Sequence, residues 1–298
     1  MTSALQKKLW RELWHIRGQA LAIILVIVGG VGVCVMSIST YDSLVNMRST
    51  YYGEYNFAHV FSSLKRAPES LLKRIVAIPG IANAESRVVA QVHLEVPGYD
   101  EPVTGLLTSL PDEGMPRINQ LHLVSGRMPD VRRDNELLIS DAFSEAQDLR
   151  EGDSLIAVIN GRRRDMQIVG VAQSPNHIFQ MAPGAVFPDY ERFGVLWMAR
   201  TPLAVAYDMK GAFNEVVLTL QAGGDIDAVI QNLDILLKRY GSRGAYGRED
   251  QLSNAFLKEE FRQLQTMALL FPAIFLGVAV FLLNVVISRL VQTQREII

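Results

Sequence analysis

Two long uncharged runs, one near each end of the chain, dominate the pattern of hydrophobic positions. They cover residues 18–41 and 263–288, with apolar centres at residues 20–38 and 267–287. Each centre is long enough to cross a hydrocarbon layer of about 30 Å as an α-helix. Charge, proline or glycine interrupts every apolar stretch between the two runs. The sequence therefore predicts transmembrane helices at residues 19–41 and 263–288 that bracket an extracytoplasmic domain.

The charges beside the two runs predict the orientation of the chain. Basic residues flank the runs on the sides nearer the chain ends: Lys7, Lys8, Arg11, Arg17, Arg289 and Arg295. Because lysine and arginine collect on the cytoplasmic side, we expect both ends to be cytoplasmic, in a bacterial inner membrane. A cleaved signal peptide is the alternative for the first run, which ends in a small-residue triplet at residues 37–39. Its length exceeds the usual core of about 7–15 residues, which favours an uncleaved anchor.

Residues 1–18 have an amphipathic pattern of their own. Leu5, Leu9, Leu13 and Ile16 recur at helical spacing, and basic residues take the other side. This pattern is typical of a helix that lies on an anionic membrane face, so we expect a cytoplasmic interfacial helix. The alternative is a simple extension of the transmembrane helix into the aromatic belt.

The part between the two runs, residues 42–262, alternates strand and helix patterns. The class predicted is therefore α+β. Asn160 and Gly161 stand between two apolar runs, which is typical of a β-hairpin turn. Residues 179–209 have weak periodicity and several prolines, and we expect them to be an insertion or a second subdomain. Helices are expected at residues 68–78 and 225–240, and strands at residues 57–61, 87–96, 103–108, 136–140, 154–159, 165–171 and 215–220.

The segments that join this domain to the membrane keep a helical period. From Leu252 to Ala268 an apolar stripe runs into the second crossing without a turn residue, and Leu44 and Met47 extend the first crossing similarly. We therefore expect the two membrane helices to continue outward as a paired stalk. Such a stalk could carry motion between compartments or merely position the domain.

Composition and motif content exclude several classes of function. A net charge of -2 and a pI near 6.2 give no basic surface for nucleic acid. The single cysteine, Cys34, excludes an internal disulfide. The sequence lacks a phosphate-binding P-loop, a zinc-binding H-E-x-x-H and a nucleophile elbow. The histidines share no ligand spacing: His15, His59, His93, His122 and His177. We expect neither an enzyme nor a bound metal or cofactor.

Small residues in the two predicted membrane helices suggest close packing. Gly29, Gly30 and Gly32 lie in the first helix, and Ala273 and Gly277 lie four residues apart in the second. Such surfaces let helix backbones approach each other in a membrane. We therefore predict that these five positions pack against other helices.

Several short motifs together resemble a known family. They are residues 123–129 (LVSGRMP), 135–140 (NELLIS), 151–155 (EGDSL), 160–162 (NGR) and 168–171 (IVGV). In this order, between two membrane crossings, they resemble the extracytoplasmic domain of FtsX-like, MacB-type permeases of ABC transporters. Without the family, the glycines in these motifs indicate turns and close packing rather than a binding site.

The resemblance implies a fold, a partner and a mode of action. The implied protein is a permease that couples ATP hydrolysis by a separate ABC ATPase to movement of its outer domain, for export or extraction of lipid, lipoprotein, peptide or drug. The implied partners are the ATPase, a second permease copy or half, the lipid bilayer and a periplasmic adaptor. Residues 289–298 resemble the start of the ATPase-coupling segment, with Gln294, Arg295 and Glu296 as its candidate contacts.

One departure from the family concerns the number of crossings. Family permeases usually have at least four, whereas this sequence contains two, so we expect a fragment or a split half. The rival interpretation from another class is a two-helix sensor with an outer ligand-binding domain. A sensor would carry a signalling linker and long heptads after the second crossing, and residues 292–298 show neither. A membrane-anchored enzyme is disfavoured by the missing catalytic motifs.

Overall fold

The chain forms two compact units. The computed structural model describes Trp14 and residues 17–295. One unit, called here the helix-pair unit, comprises residues 1–48 and 258–298, and the other, the central unit, comprises residues 49–257. The interfacial helix predicted at residues 1–18 lies outside the described residues except for Trp14, Arg17 and Gly18.

Two long helices carry the apolar runs. Helix α1 covers Arg17–Glu54 and helix α6 covers Leu252–Arg295. At about 1.5 Å per residue they extend roughly 57 and 66 Å, about twice the thickness of a hydrocarbon layer. Segments Leu21–Glu54 and Leu252–Ser288 have the length and hydropathy to cross a membrane, and their most apolar windows are only 11% buried. Each helix therefore contains a membrane-length apolar part and continues beyond it, and the paired stalk outside the membrane stays a prediction.

The two helices touch within the helix-pair unit. A side chain built on Gly30 would place its Cβ 3.1 Å from Cβ of Phe275, so the missing side chain permits this close approach. The rings of Tyr41 and Phe261 meet edge-on at 6.4 Å. The guanidinium of Arg48 lies 5.2 Å from the centre of the same Phe261 ring. Aromatic and cation–π contacts therefore pair the helices beyond their most apolar parts.

Strands from both ends of the central unit form a four-stranded antiparallel sheet. Its order is β11-β1-β10-β2, and the chain passes through it as strand, helix, strand and again strand, helix, strand. This is the arrangement of ferredoxin-like folds, so we call it the ferredoxin-like subdomain. The strands are β1 (Val60–Pro68), β2 (Ile81–Arg87), β10 (Ala212–Leu220) and β11 (Ala245–Gly247), and the helices α2 (Leu72–Val76) and α5 (Ile226–Leu237).

One face of this sheet packs on its two helices. Val229, Leu233 and Leu237 of α5 are fully buried in the same apolar cluster as Val216 and Leu218 of β10. The carboxylate of Asp225 caps α5 by accepting bonds from two backbone N–H groups. The helices predicted at residues 68–78 and 225–240 are thereby confirmed, each with a 3₁₀ turn at one end, Glu69–Leu71 and Lys238–Tyr240.

A second sheet is inserted between β2 and β10. Its strands are ordered β5-β8-β6-β9-β4-β3-β7, and β7 also pairs with β8, so six of its strands close into a barrel. We call this the barrel subdomain. Its elements are β3 (Val89–Val96), β4 (Tyr99–Leu110), β5 (His122–Gly126), β6 (Glu136–Ser140), α3 (Asp141–Gln147), β7 (Ser154–Ile159), β8 (Arg162–Gln173), β9 (Phe193–Ala199) and α4 (Arg200–Ala206).

The hairpin predicted at Asn160 and Gly161 is confirmed. Ile159 of β7 pairs directly with Arg162 of β8, leaving a two-residue loop. Both loop residues have positive φ, 48° at Asn160 and 75° at Gly161. This is the backbone of a type I′ turn, whose twist matches that of the flanking strands.

Two predictions of local structure were wrong. Residues 179–209 form neither an insertion nor a subdomain of their own, because β9 lies in the middle of the barrel sheet between β4 and β6. All seven residues of β9 are buried, so the strand lacks the alternation that reveals a half-exposed strand. The strand expected at residues 57–61 begins only at Val60, since α1 ends at Glu54 and a turn and irregular backbone at residues 55–59 precede the strand.

Four of the five sequence motifs meet around β8. Gly126 ends β5 and pairs with Gly170 of β8, and Arg127 follows it. A Cβ on Gly170 would lie 2.7 Å from the carbonyl oxygen of Ser125, so only glycine fits there. Arg127 donates to both carboxylate oxygens of Glu136, at 2.6 and 2.7 Å, and Arg133 adds a bond of 3.1 Å. The Glu136 side chain is fully buried. These motifs therefore have a structural role at one edge of the barrel.

The buried carboxylate of Glu136 makes the stability of the barrel depend on pH. The hydrogen bond from Arg127 is the main cause that lowers the pKa of Glu136 from 4.5 to about 2. Its contribution should be complete above pH 4.5 and be lost as the pH falls towards 2. We expect Glu136→Gln to lower the free energy of unfolding by about 2 kcal/mol near neutral pH, as charge-assisted hydrogen bonds are lost.

The measurement is chemical unfolding followed by the fluorescence of buried Trp197, with Trp10 and Trp14 replaced by phenylalanine. Below about pH 3 the free energy of unfolding of the parent protein should fall towards that of the variant, because Glu136 of the parent takes up a proton when the protein unfolds. Exposed Glu95, paired with Arg163, provides the control as Glu95→Gln. Equal unfolding free energies of parent and Glu136→Gln at neutral pH would contradict this account.

Candidate functional site: the base of the two long helices

The ends of α1 and α6 meet inside the core of the central unit. Tyr52, in the last turn of α1, donates a buried hydrogen bond of 3.0 Å from its hydroxyl to Oδ1 of Asn254 in the first turn of α6. The Tyr52 ring packs 4.4 Å from that of Phe57. With Arg248 these residues form what we call the helix-base cluster: Tyr52, Phe57, Arg248 and Asn254. A direct contact thus joins the end of one long helix to the start of the other.

Arg248 is the centre of the helix-base cluster. Its Nε donates to the carbonyl oxygen of Ala58 at 2.8 Å, and its Nη2 donates to that of Phe57. The guanidinium also lies 4.8 Å from the ring centre of Phe57 and 5.7 Å from that of Tyr52. Burial lowers the pKa of Arg248, although arginine stays charged in proteins. One cation therefore satisfies the carbonyls left free where α1 ends and holds them near α6.

The first turn of α6 is capped from within the same region. Oε1 of Gln251 accepts the backbone N–H of Asn254 at 2.8 Å, and Nδ2 of Asn254 donates to the carbonyl oxygen of Arg248 at 2.9 Å. Gln251 and Asn254 are both more than nine-tenths buried. Buried polar groups with complete hydrogen bonding fix one geometry, because any displacement leaves a group unpaired. The start of α6 is therefore held in a defined position within the central unit.

A segment of the barrel subdomain is fastened to the same turn of α6. Residues 174–180, which we call the strap, follow β8. Nε2 of Gln251 donates to the carbonyl oxygen of Asn176 at 2.7 Å, and Oγ of Ser253 accepts from the backbone N–H of Phe179 at 2.8 Å. The rings of Phe179 and Phe256 pack at 4.7 Å. Two hydrogen bonds and one aromatic pair thus hold the strap on α6.

The other side of the strap is anchored in the barrel. Oγ of Ser140, at the end of β6, donates to Oε1 of Gln180 at 2.7 Å, and both residues are buried. His177 lies edge-on to Trp197 of β9, with 6.4 Å between ring centres. Burial and, secondarily, the charge of Arg87 lower the pKa of His177 to about 3, so the imidazole is neutral near pH 7. The strap therefore links α6 to two central strands of the barrel.

The positions predicted for helix packing are distributed differently. Gly30 lies against Phe275 of α6, whereas a Cβ on Gly29, Gly32 or Gly277 would have nothing within 4 Å. Ala273 is exposed. The structure thus places one of the five positions between α1 and α6 and leaves the other four open.

The residues predicted to contact an ATPase are described only in part. Gln294 and Arg295 belong to the last turn of α6, and Glu296 lies outside the described residues. Among the residues that the structure describes, no group of histidine, cysteine, aspartate or glutamate has an arrangement suited to a metal ion.

Sequence reasoning missed the helix-base cluster and the strap. Arg248 stands in a charged stretch, residues 248–250, that resembles a solvated boundary before a helix. The available clue was Gln251, three residues before Asn254, a spacing at which a side chain can cap a helix. No local pattern links these residues to positions 52 or 176.

We expect replacement of Arg248 to loosen the base of both helices. Arg248→Met keeps the aliphatic stem but leaves the carbonyls of Phe57 and Ala58 without a donor, so the free energy of unfolding should fall by about 2–3 kcal/mol. The measurement is chemical unfolding followed by Trp197 fluorescence. Exposed Arg243 of the preceding segment provides the matched control as Arg243→Met, which should change the value by less than about 0.5 kcal/mol. A similar small change for Arg248→Met would contradict the role of its hydrogen bonds.

With this geometry established, comparison with known proteins identifies the domain. The sequence profile of the MacB-like periplasmic core domain matches residues 20–236, which is more than half of the chain. The match begins within α1 and includes the barrel subdomain with all five motifs. No curated protein sequence matches the chain.

Three solved structures have low similarity to the chain, and two of them are an extracellular domain and a periplasmic region. The extracellular domain of the noncanonic ABC-type transporter YknZ from Gram-positive bacteria aligns with a TM-score of 0.39 and 11% identity, over 64% of this chain and 98% of that one. The periplasmic region of MacB from Actinobacillus actinomycetemcomitans gives 0.40 and 9%, over 71% and 95%. A permease domain from Porphyromonas gingivalis gives 0.38 and 12%, over 68% and 96%.

The family assignment rests on the profile match, because these structural similarities are low. It confirms the resemblance to the outer domain of MacB-type permeases and the α+β class. A periplasmic-type domain between two long apolar helices fits an inner-membrane protein. The chain belongs to the family of proteins that contain the MacB-like periplasmic core domain.

Proposed function

We propose that the chain is a permease component of an ABC transporter, driven by a separate ATPase. The observation that carries the proposal is the family match, which starts inside α1 and continues through the central unit. One family model therefore covers the membrane-length part of α1 and the central unit as far as residue 236. The absence of a P-loop from the sequence fits hydrolysis of ATP by another protein.

The helix-base cluster supports a mechanical role for the outer domain. Tyr52 and Asn254 join the two helices, and the strap joins α6 to the barrel. A displacement of α6 along or about its axis would break buried hydrogen bonds unless the strap moved with it. In the proposed mechanism, nucleotide-driven movement of the helices is passed through these contacts to the barrel subdomain.

The proposed arrangement places both chain ends in the cytoplasm and the central unit outside. The basic residues beyond the apolar runs support this orientation. A membrane-impermeant thiol reagent applied to intact spheroplasts should label Gly161→Cys and leave Ser3→Cys unlabelled, in a Cys34→Ala background. The opposite labelling would overturn the orientation.

The open small-residue faces support assembly with further membrane helices. Gly29, Gly32 and Gly277 have free space around them, and such faces in a membrane permit close approach of another helix. We propose a second permease copy or half as the occupant. Gln294, Arg295 and Glu296 remain the proposed contacts with the ATPase, and a periplasmic adaptor and the cargo, whether lipid, lipoprotein, peptide or drug, belong to the same proposal.

The test is ATP turnover by the natural protein co-purified with its ATPase. Gly277→Leu fills an open face and should lower permease-stimulated turnover about fivefold, corresponding to about 1 kcal/mol of helix association. Val280→Leu, at an exposed position of the same helix, is the matched control and should have no effect. Replacing Arg162, Arg163 and Arg164 by alanine in the distant hairpin should also leave turnover intact.

The proposal fails if no ATPase co-purifies with the natural protein, and in that case the two-helix sensor becomes the better interpretation. If an ATPase does co-purify, ATP turnover that Gly277→Leu leaves unchanged would contradict the proposed helix packing at Gly277. Expression levels and membrane insertion of each variant must match the parent protein, so that lower turnover reports assembly.

A further inference from the structure

An open groove lies on the helical side of the ferredoxin-like subdomain. It runs between the end of α2 and the last turns of α5 and has a volume of about 710 Å³. Known small-molecule sites span roughly 300–1,000 Å³, so the groove has the size of a ligand site. None of its lining residues belongs to the helix-base cluster or the strap, and nothing in the proposed function uses it.

Five apolar residues line the groove, and we call them its apolar floor. Ala77, Ile78 and Pro79 lie on one side, and Ile235 and Leu236 lie on the other. Gly80, with φ of 90°, turns the chain at its edge and lets Val229 of α5 approach, since a Cβ there would lie 3.2 Å from Cγ2 of Val229. The two helical segments are thereby held close, with apolar side chains between them.

The rim of the groove is cationic. Arg74 lines it from α2, and Lys238 and Arg239 line it from the turn after α5, while no carboxylate belongs to the lining. Arg239 packs on the ring of Tyr240 at 4.9 Å. In the part of the chain that the structure describes, neither Arg74 nor Lys238 has an ion-pair partner. Their positive charges are available to an anion.

The stability of helix α5 can explain the basic residues of the groove but not the exposed side chain of Ile235. Basic residues near helix ends interact favourably with the helix dipole, which explains cations at this place. Ile235 is different, because it is 77% exposed while the buried face of α5 is formed by Val229, Leu233 and Leu237. Together with Ile78 and Leu236, it forms an apolar surface beside three cations.

We propose that this groove binds one molecule of an anionic amphiphile, with its hydrocarbon chain on the apolar floor and its anionic head between the cations. The combination of features selects this class of ligand. An inorganic anion would use the rim but not Ile78, Ile235 and Leu236, and a neutral lipid would leave the three cations without a counter-charge. The inference does not depend on the ATPase, so its test is separate from that of the proposed function.

The probe is a single-chain carboxylate, palmitate with a photoreactive diazirine in its chain, added to the natural protein in a non-ionic maltoside detergent. After irradiation, peptide mapping by mass spectrometry should find label at residues 74–79 and 232–239. Unmodified palmitate should compete with this labelling and inorganic phosphate should not. The corresponding diazirine alcohol should label these peptides about tenfold less, a difference of about 1.4 kcal/mol.

Variants link the labelling to the groove. Arg74→Gln combined with Arg239→Gln, and separately Ile235→Gln, should each lower groove labelling about tenfold. Arg132→Gln combined with Arg150→Gln is the matched control, since both arginines are exposed in the barrel subdomain. The substituted groove residues are exposed, and unchanged Trp197 fluorescence will verify that each variant is folded.

Three results would overturn the proposal. Competable label confined to the membrane helices would show binding elsewhere. Full competition by phosphate would show an anion site without use of the apolar floor. The labelling is repeated in vesicles of anionic phospholipid. Groove labelling in these vesicles but not in maltoside detergent would assign the groove to a bilayer surface instead of a single amphiphile.

Discussion

Helix α1 ends, and helix α6 begins, inside the hydrophobic core of the central unit. Tyr52 from α1 and Leu257 from α6 belong to one apolar cluster with Phe57, Phe61 and Val217 of the ferredoxin-like subdomain. Arg248 donates to the carbonyls where α1 ends, and Asn254 accepts from Tyr52 at the first turn of α6. Removing either helix end would expose apolar side chains and leave buried polar groups unpaired. The remaining structure depends on this shared core, since it joins the ends of the two long apolar helices to the sheets of the central unit.

The barrel subdomain is inserted into the ferredoxin-like subdomain and is held to α6 by the strap. Two chain crossings, between β2 and β3 and between α4 and β10, connect the barrel to the ferredoxin-like subdomain. Side-chain hydrogen bonds of Asn214 to the backbone of Val89 and of Arg200 to the carbonyl oxygen of Ser86 also link the two. The strap adds the bonds of Gln251 and Ser253 and the Phe179–Phe256 pair. On the other side, Ser140 and Gln180 fix it to β6. The barrel therefore has a connection to α6 that does not pass through the ferredoxin-like sheet, and this connection is what a mechanical role requires.

Local patterns predicted much of the fold. The hairpin at Asn160 and Gly161, the capped helix α5 and strand β7 follow from turn chemistry and periodicity, and the residues of β7 alternate between more exposed and buried positions. Strand β6 is fully buried but was recognisable as a short apolar run between turn residues. Strand β9 is also fully buried and without a period, and the prolines of residues 183–202 around it favoured an irregular segment. The order of five motifs was enough to indicate the family, although the pairing of Arg127 with Glu136 appears only in three dimensions.

The helix-base cluster could not be predicted from the sequence either, because its contacts join distant segments of the chain. Tyr52 and Asn254 are 202 positions apart, and Asn176 and Gln251 are 75 apart, so no local pattern joins them. A stripe through residues 252–268 predicted a continuous helix, and α6 has that continuity, but the stripe holds no information about what binds its first turn. Specific hydrogen bonds between distant segments arise from the packed fold, which periodicity does not encode.

The most direct test of the central claim is hydrogen–deuterium exchange of the natural protein bound to its ATPase, with and without a trapped ATP state. If movement of the helices is passed to the outer domain through the strap, amide exchange at residues 174–180 and 248–254 should change when ATP is trapped. The same peptides should show no change with an ATPase that cannot bind nucleotide. Unchanged exchange at both segments, together with altered exchange in the membrane helices, would contradict the account and reduce the helix base to a fixed anchor.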